Sequence, residues 1–333
     1  MKSKVTIQDI AQKAGVSIAT VSRIINQKGV VKSSTQKKVL QAMEELQYDT
    51  TLVNAAVSSR PLLAFIPDFI NPFYAKIIDG IQQTAHENSF EIFLVQTKDV
   101  YSSYQFFLNL IKNGHFSGVL WISTVPPLDL LTAIDRQYPM VMCCEYSERY
   151  ETSYVSINDI SSAYKAVNYL ISTGCRQIGL INCSSKYKYA RHRKEGYLKA
   201  LSDSNLDFHP EWNISIPYVD YSLAYSAVLQ VLTSDQIPDA FFACSDVFAA
   251  AAINAAQHCK IKVPEELSVI GFDNVETSRI TTPALTTISQ PAFQLGQQSC
   301  AMLIDKITNP YTANKHMMLD TELIIRESTK TFS

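Results

Sequence analysis

The chain is poor in charge, in histidine and in paired cysteine, and each shortage removes a class of function. Only 18% of its 333 residues are charged while 47% are apolar, which argues for compact folded units and against a long disordered tail. No apolar run reaches the length that spans a bilayer, and the N-terminus enters a polar helix without an apolar signal core. The sequence therefore predicts a cytoplasmic protein with no membrane partner. Seven cysteines (Cys143, Cys144, Cys175, Cys183, Cys244, Cys259 and Cys300) occur without a C-x-x-C pair, which leaves neither a zinc site nor a disulfide framework. They read as small buried hydrophobes. Six histidines, no Gly-rich phosphate loop and no Ser–His–Asp or His–Cys ordering give no catalytic constellation. The adjacent acids Glu265 and Glu266 read as solvated surface charge. The expectation is no enzyme, no metal and no cofactor.

What the sequence does hold is unevenly spread. Nine Lys or Arg against four Asp or Glu give residues 1–60 a charge of +5, and the remainder carries −7. A basic head on an acidic body is the distribution expected where one end meets phosphates and the rest does not. Val5 to Asn26, VTIQDIAQKAGVSIATVSRIIN, sets the head's pattern. Thr6 caps a first helix with Asp9 three residues on, and Ile7, Ile10, Ala11 and Ala14 mark one buried face. Gly15 stops that helix and Ser17 caps a second. On the second, Val21, Ile24 and Ile25 fall together, while Ile18, Ala19, Ser22, Arg23 and Asn26 share the opposite arc. Two helices on so short a turn, the second presenting small, hydroxylated and cationic side chains, form the helix-turn-helix arrangement that lays a recognition helix in the DNA major groove. A capping box of Ser33 and Gln36 opens a third helix, with Val39, Ala42, Met43 and Leu46 on its apolar face.

At 333 residues the chain exceeds one ordinary core, so two or three domains are expected. Residues 49–60, DTTLVNAAVSSR, read as a linker. Beyond it, strand-like runs at 62–67, 91–95, 118–122 and 140–143 alternate with helical stretches at 72–87, 101–112 and 128–135. A second series has strands at 178–182, 213–216, 240–243 and 267–271 and helices at 190–203, 221–233 and 246–258. This alternation is the signature of parallel sheets wrapped by helices, here in two doubly wound lobes of ordinary size.

The head sequence T-I-Q-D-I-A-Q-K-A-G-V-S-I-A-T-V-S-R-I-I-N resembles that of the lactose/galactose repressor family. The likeness continues in N-P-F-Y-A-K-I-I-D-G-I at 71–81, C-S-D-V-F-A-A at 244–250, V-I-G-F-D-N at 269–274 and T-P-A-L-T-T-I-S-Q-P at 282–291. Three shorter stretches, P-M-V-M at 139–142, A-V-N-Y-L at 166–170 and E-L-I-I-R at 322–326, are similar to the cytidine-repressor branch of that family. The resemblance implies a small all-α helix-turn-helix head (1–48), a hinge (49–60) and an α/β body of two doubly wound lobes like a periplasmic binding protein. The chain would cross three times, giving one lobe of 61–158 plus 291–318 and another of 159–290 plus 319–333. Helix 292–307 would return to the first lobe, and strand material near 319–326 would join the second.

The resemblance also implies roles for single residues. Ile18 and Ala19 match positions that face base edges; both are apolar and suit a thymine methyl, which leaves Arg23 to grip guanine bidentately. Thr6, Ser17, Thr20, Ser22, Asn26, Thr35 and Tyr48 match positions that touch phosphates. Val57 matches the apolar wedge of a hinge helix that enters the minor groove, with Thr50 and Thr51 replacing the hinge proline and asparagine. In the body, Arg193 within A-R-H-R-K-E-G-Y and Asp273 within G-F-D-N match effector contacts suited to a polyhydroxylated ligand. Phe73 and Tyr74 are placed to stack on it, with Glu145 and Tyr218 as further candidates. Tyr187 and Tyr189, before Arg193, would favour a nucleoside over a plain hexose. The implied protein is a ligand-responsive transcriptional repressor: a homodimer on double-stranded operator DNA, with a nucleoside or sugar as small-molecule effector. Because its groove residues are apolar and its wedge short, a second DNA-bound regulator is a further expected partner. The alternative, a cytosolic sugar or nucleoside receptor without DNA function, is opposed by the basic head.

Overall fold

Thr6 opens the first helix with the box its sequence predicts. In the computed structural model, which describes residues 5–25, 31–46, 48, 60–97, 104–309 and 311–331, Asp9 N donates to Thr6 Oγ1 (3.4 Å) and Thr6 N donates to Asp9 Oδ2 (2.7 Å). Helix α1 (Ile7–Ala14) ends at Gly15, whose φ of 63° is a left-handed value that a side chain would strain. Thr20 N donates to Ser17 Oγ (3.1 Å) at the start of α2 (Ile18–Ile25). Helix α3 (Ser33–Glu45) departs from expectation: Lys32 holds the N-cap position and makes no side-chain bond. Ser33 thus lies inside the helix, one residue past where a capping box needs it. Ile10, Ala11, Val21, Ile24, Val39, Ala42 and Met43 bury together. At roughly 1.5–3 kcal/mol for each large side chain fully buried, this core holds helices too short to persist alone. Asn26, Val57 and residues 49–59 of the hinge expected at 49–60 lie outside the described residues.

Leu62–Glu87 and Ile92–Ser333 form a second compact unit, built on two six-stranded sheets. The first contains β1 (Arg60–Ile66), β2 (Phe90–Gln96), β3 (Gly118–Trp121), β4 (Met140–Cys143), β5 (Ser153–Ile157) and β11 (His316–Leu319). The second contains β6 (Ile178–Cys183), β7 (Asn213–Ile216), β8 (Ala240–Ala243), β9 (Ser268–Asp273), β10 (Thr286–Ser289) and β12 (Glu322–Ile324). The orders are β2-β1-β3-β4-β5-β11 and β7-β6-β8-β9-β10-β12, one pattern used twice. The registered pairs are parallel except β10 with β12. In each sheet the order reverses beside the strand the chain enters first, and such switch points open a crevice at the carboxyl ends of the strands.

The helices between strands are α4 (Phe73–Glu87), α5 (Tyr104–Asn113), α6 (Leu128–Asp135), α7 (Asp159–Ser172), α8 (Lys188–Asp203), α9 (Tyr221–Leu232), α10 (Asp246–His258), α11 (Thr277–Ile280) and α12 (Ala292–Thr308). The chain passes between sheets after β5, after β10 and after β11. Helix α12 packs on α4 and behind β3 and β4, in the first lobe. Contact there is backbone to backbone, since a Cβ on Gly80 would collide with Phe293 O and one on Gly296 with Ile77 O. Strands β5 and β10 fall outside the expected runs because they are rich in hydroxyls: Ser153, Ser156, Thr286 and Thr287 are all buried. The last two strands lie one in each sheet, β11 beside β5 in the first and β12 beside β10 in the second.

Candidate functional site

The carboxyl ends of both sheets converge on one cavity in the body. It is lined from the first lobe by Asn71, Phe73, Tyr74, Ile122 and Glu145, and from the second by Asp159, Tyr189, Arg193, Ser245, Asp273 and Gln290, among others. The free space between these walls is about 40 Å³, room for a water or two. An effector the size of a sugar enters only if the lobes part or the lining side chains turn aside.

Arg193 is the centre of the site. It stands on α8, whose first turns are pinned to β6 by Asn182: Asn182 Nδ2 donates to Ala190 O (2.8 Å) and Cys183 N donates to Asn182 Oδ1 (2.9 Å). Arg193 is only 5% exposed. Its Nε donates to Asp159 Oδ1 (2.9 Å) and its Nη1 to Cys244 O (2.6 Å), while Nη1 stands 3.7 Å from Asp273 Oδ1. The guanidinium also lies 3.5 Å above the Phe272 ring centroid, a cation–π contact in a dry setting. Asp159 is shared, since its Oδ2 accepts from the buried Lys188 Nζ at 3.1 Å. Burial works to raise the Asp159 carboxyl, but the Arg193 and Lys188 charges outweigh it and hold the group below its ordinary value. Burial likewise works to lower Lys188, and Asp159 and Glu145 overcome it, so the ammonium persists.

Asp273 is differently placed. It ends β9 with φ of 116°, followed by Asn274 at 55°, a strained pair of the kind that clusters at functional sites. Asn274 is locked by Arg326 Nη2 (2.7 Å) and by its own donation to Ser289 Oγ (3.0 Å). Gln290 Nε2 donates to Asp273 Oδ1 at 2.7 Å. Burial pushes the carboxyl up to about 7, and the Arg193 charge and the Gln290 bond only partly offset it. Glu145 is also raised by burial, although both its oxygens accept backbone N–H bonds, from Lys188 (3.0 Å) and Tyr189 (3.1 Å).

Of the residues singled out in the sequence, Phe73, Tyr74, Glu145, Tyr189, Arg193 and Asp273 meet in this cavity. Tyr187 does not line it; its ring stacks on Tyr189 with centroids 5.3 Å apart. Tyr218 is 54% exposed, and the neighbouring Val219 supplies the wall instead. Arg193 and Asp273, both expected to meet the effector, stand 3.7 Å apart, with Arg193 bonded more closely to Asp159 at 2.9 Å. Sequence reasoning passed over Asn71, Asp159, Ser245 and Gln290. Asn71, Ser245 and Gln290 lie inside stretches already noted as similar to the family; Asp159 carried no signal.

In the head, Ile18 is half exposed and Ala19 and Arg23 are exposed, on the face opposite the buried Val21 and Ile24. Thr6 and Ser17 are exposed, with Thr6 Oγ1 on Asp9 Oδ2 (2.7 Å) and Ser17 Oγ bonded to Thr20 Oγ1 (2.8 Å). Thr20, Ser22 and Thr35 are half-buried, and Tyr48 packs against the three-helix core.

Comparison with known proteins places this geometry. Residues 6–51 match the family described as bacterial regulatory proteins, lacI family, and residues 167–329 match a periplasmic binding protein-like domain. The HTH-type transcriptional repressor CytR of Escherichia coli K12 is 32% identical over 329 residues, 98% of this chain and 96% of that protein. A crystal structure of an uncharacterized protein from Actinobacillus succinogenes is 34% identical over 81% of this chain and 98% of its own, with a TM-score of 0.76. The transcriptional regulator CelR in complex with cellobiose is 27% identical over 97% and 99%, with a TM-score of 0.74. With such identity over nearly its full length, this chain belongs to the LacI family of bacterial regulatory proteins and is a DNA-binding transcriptional regulator.

Proposed function

We propose that the protein is a homodimeric, cytoplasmic repressor whose effector is an uncharged polyhydroxylated molecule, a nucleoside or a sugar, held in the body cleft. The observation that carries the effector reading is the Arg193–Asp159–Asp273 cluster set between aromatic walls. Arg193 has its Nε and Nη1 bonded to Asp159 and Cys244 O, which leaves its remaining N–H groups, chiefly those of Nη2, to donate to ligand oxygens. Asp273 accepts from ligand hydroxyls, and Phe73, Tyr74 and Tyr189 cover a base or an apolar sugar face. The CelR–cellobiose complex supports a saccharide; Tyr189 in the cavity wall supports a nucleoside. The protein regulates and does not catalyse: the ionisable groups of the cleft bond one another and the backbone.

In the head, Arg23 reads a guanine, Ile18 and Ala19 lie against thymine methyls, and Thr6, Ser17, Thr20, Ser22, Thr35 and Tyr48 meet phosphates. One head covers a half-site, so a symmetric operator takes a dimer. With two apolar groove residues, a neighbouring DNA-bound regulator supplies further affinity.

A thermal-shift screen of nucleosides and neutral sugars against the full-length protein tests this. A true effector stabilises by RT ln(1 + [L]/Kd), about 2.7 kcal/mol at a hundred times Kd. The pH dependence follows from Asp273. Its folded-state value, about 7, lies above the ordinary 3.8, so its contribution to the fold is complete below pH ~4 and is lost as pH rises through ~7. The ligand prefers the ionised form, so effector affinity should rise between pH 6 and 8, by at most about tenfold per unit. Asp273→Asn should weaken binding and flatten that profile. Stabilisation by no neutral ligand, or stronger stabilisation by a phosphorylated one, contradicts the assignment.

A further inference from the structure

We propose that Glu145 is a positioning residue that caps helix α8 from the opposite lobe, and that with Glu148 it latches the two lobes along one edge of the cleft. Helix α8 has no cap of its own, since its N-cap residue Tyr187 makes no side-chain bond. The first two amides of the helix donate instead to Glu145: Lys188 N to Oε2 (3.0 Å) and Tyr189 N to Oε1 (3.1 Å). Glu145 follows β4 of the first sheet, while α8 belongs to the second. Three residues of the first lobe's loop, Glu145, Tyr146 and Glu148, thus grip the opening turns of a second-lobe helix. Glu145 takes the amides, and the Tyr146 ring lies 4.1 Å from Lys188 Nζ. Glu148 accepts from Arg191 Nη2 (2.7 Å) and pairs with His192 Nε2 (2.9 Å).

The parts differ in weight. Glu145 is 4% exposed, and a buried carboxylate on two backbone N–H groups at a helix N-terminus makes charge-assisted bonds favoured by the helix dipole. The Glu148 contacts are half exposed and count for little singly. Parting the lobes on this side leaves two α8 amides without an acceptor and a carboxylate without donors. Arg193 stands one turn further along the same helix, so the latch fixes where this cation of the cleft stands before any effector binds. The latch holds whether or not the effector assignment does.

Hydrogen exchange of the full-length protein, with no ligand added, reads it. In the wild type the Lys188 and Tyr189 amides exchange well below their intrinsic rate. Glu145→Leu removes the acceptor at nearly constant volume and speeds both by about tenfold or more. Glu148→Gln, outside the cavity, speeds them by roughly two- to fivefold. Amides of β7 should not change in either variant. Intrinsic-rate exchange in the wild type overturns the proposal, as does unchanged exchange at these two amides in both variants. If Glu145→Leu loosens the whole body, Glu145→Gln and Glu148→Gln decide: a local increase at 188–189 supports the latch, and no increase in either overturns it.

Discussion

Replacing Arg193 with alanine is expected to abolish effector binding and to destabilise the body more than any other single change in the cleft. The guanidinium joins three acceptors: Asp159 at 2.9 Å, Cys244 O at 2.6 Å and Asp273 at 3.7 Å. Removing it leaves Asp159, 2% exposed, with Lys188 alone, and leaves Asp273 with Gln290 alone. Breaking a buried ion pair from one side costs about 3–5 kcal/mol, which urea denaturation of the variant reads directly. Loss of the ligand contact, on top of the disordered acceptors, should weaken effector binding by at least ~100-fold. Arg193→Lys separates the two effects. An ammonium restores charge to Asp159 but cannot reach Asp159, Cys244 O and the ligand together, so stability should recover in part while calorimetry still detects little binding. Recovery of both would mean that charge alone, and not the fork, matters at this position.

Deleting residues 1–59 is expected to remove operator binding entirely and to leave effector binding measured without operator within about twofold, because every residue lining the cleft lies between Asn71 and Gln290. The head carries the basic charge of an otherwise acidic chain, the helix-turn-helix, and a core of its own. The body's cores draw on residues from Leu63 onward, so the truncated chain keeps the material that folds it. Gel shifts at low salt give the strictest reading, since non-specific phosphate binding is strongest there. Retained DNA binding by the truncated chain would place a second nucleic-acid surface on the body.

How far the sequence foretold these features depends on which interactions are local. The two head helices were legible because caps and apolar spacing are read within four residues, as Thr6 with Asp9 and Ile10 with Ala14 show. The third cap was misread because Ser33 and Gln36 have the right spacing but stand one residue late. Parallel strands such as β3 and β4, buried along their whole length, announce themselves as apolar runs. Strands β5 and β10 do not, because their hydroxyls are satisfied by partners far along the chain: Ser156 Oγ donates to Cys144 O (2.6 Å) and Thr287 Oγ1 to Asp246 Oδ1 (2.5 Å). In the cleft, Arg193 and Asp273 were found through stretches that resemble the family. Asp159 was missed because it acts only once α7 and α8 pack together, a contact no local pattern encodes. Tyr218 and Val219 show the same limit at single-residue scale: the resemblance pointed to Tyr218, and the loop places its neighbour Val219 in the wall.

The account's central claim is that the cleft and the DNA-binding head are coupled. It is tested most directly by titrating the full-length protein onto a labelled operator duplex at fixed salt, with and without a saturating effector, and by repeating the effector titration with and without saturating operator. Effector should change operator affinity by about fivefold or more, and operator should change effector affinity by the same factor, as linkage requires. If both ligands bind and neither alters the affinity for the other, the cleft does not regulate DNA binding and the account is wrong.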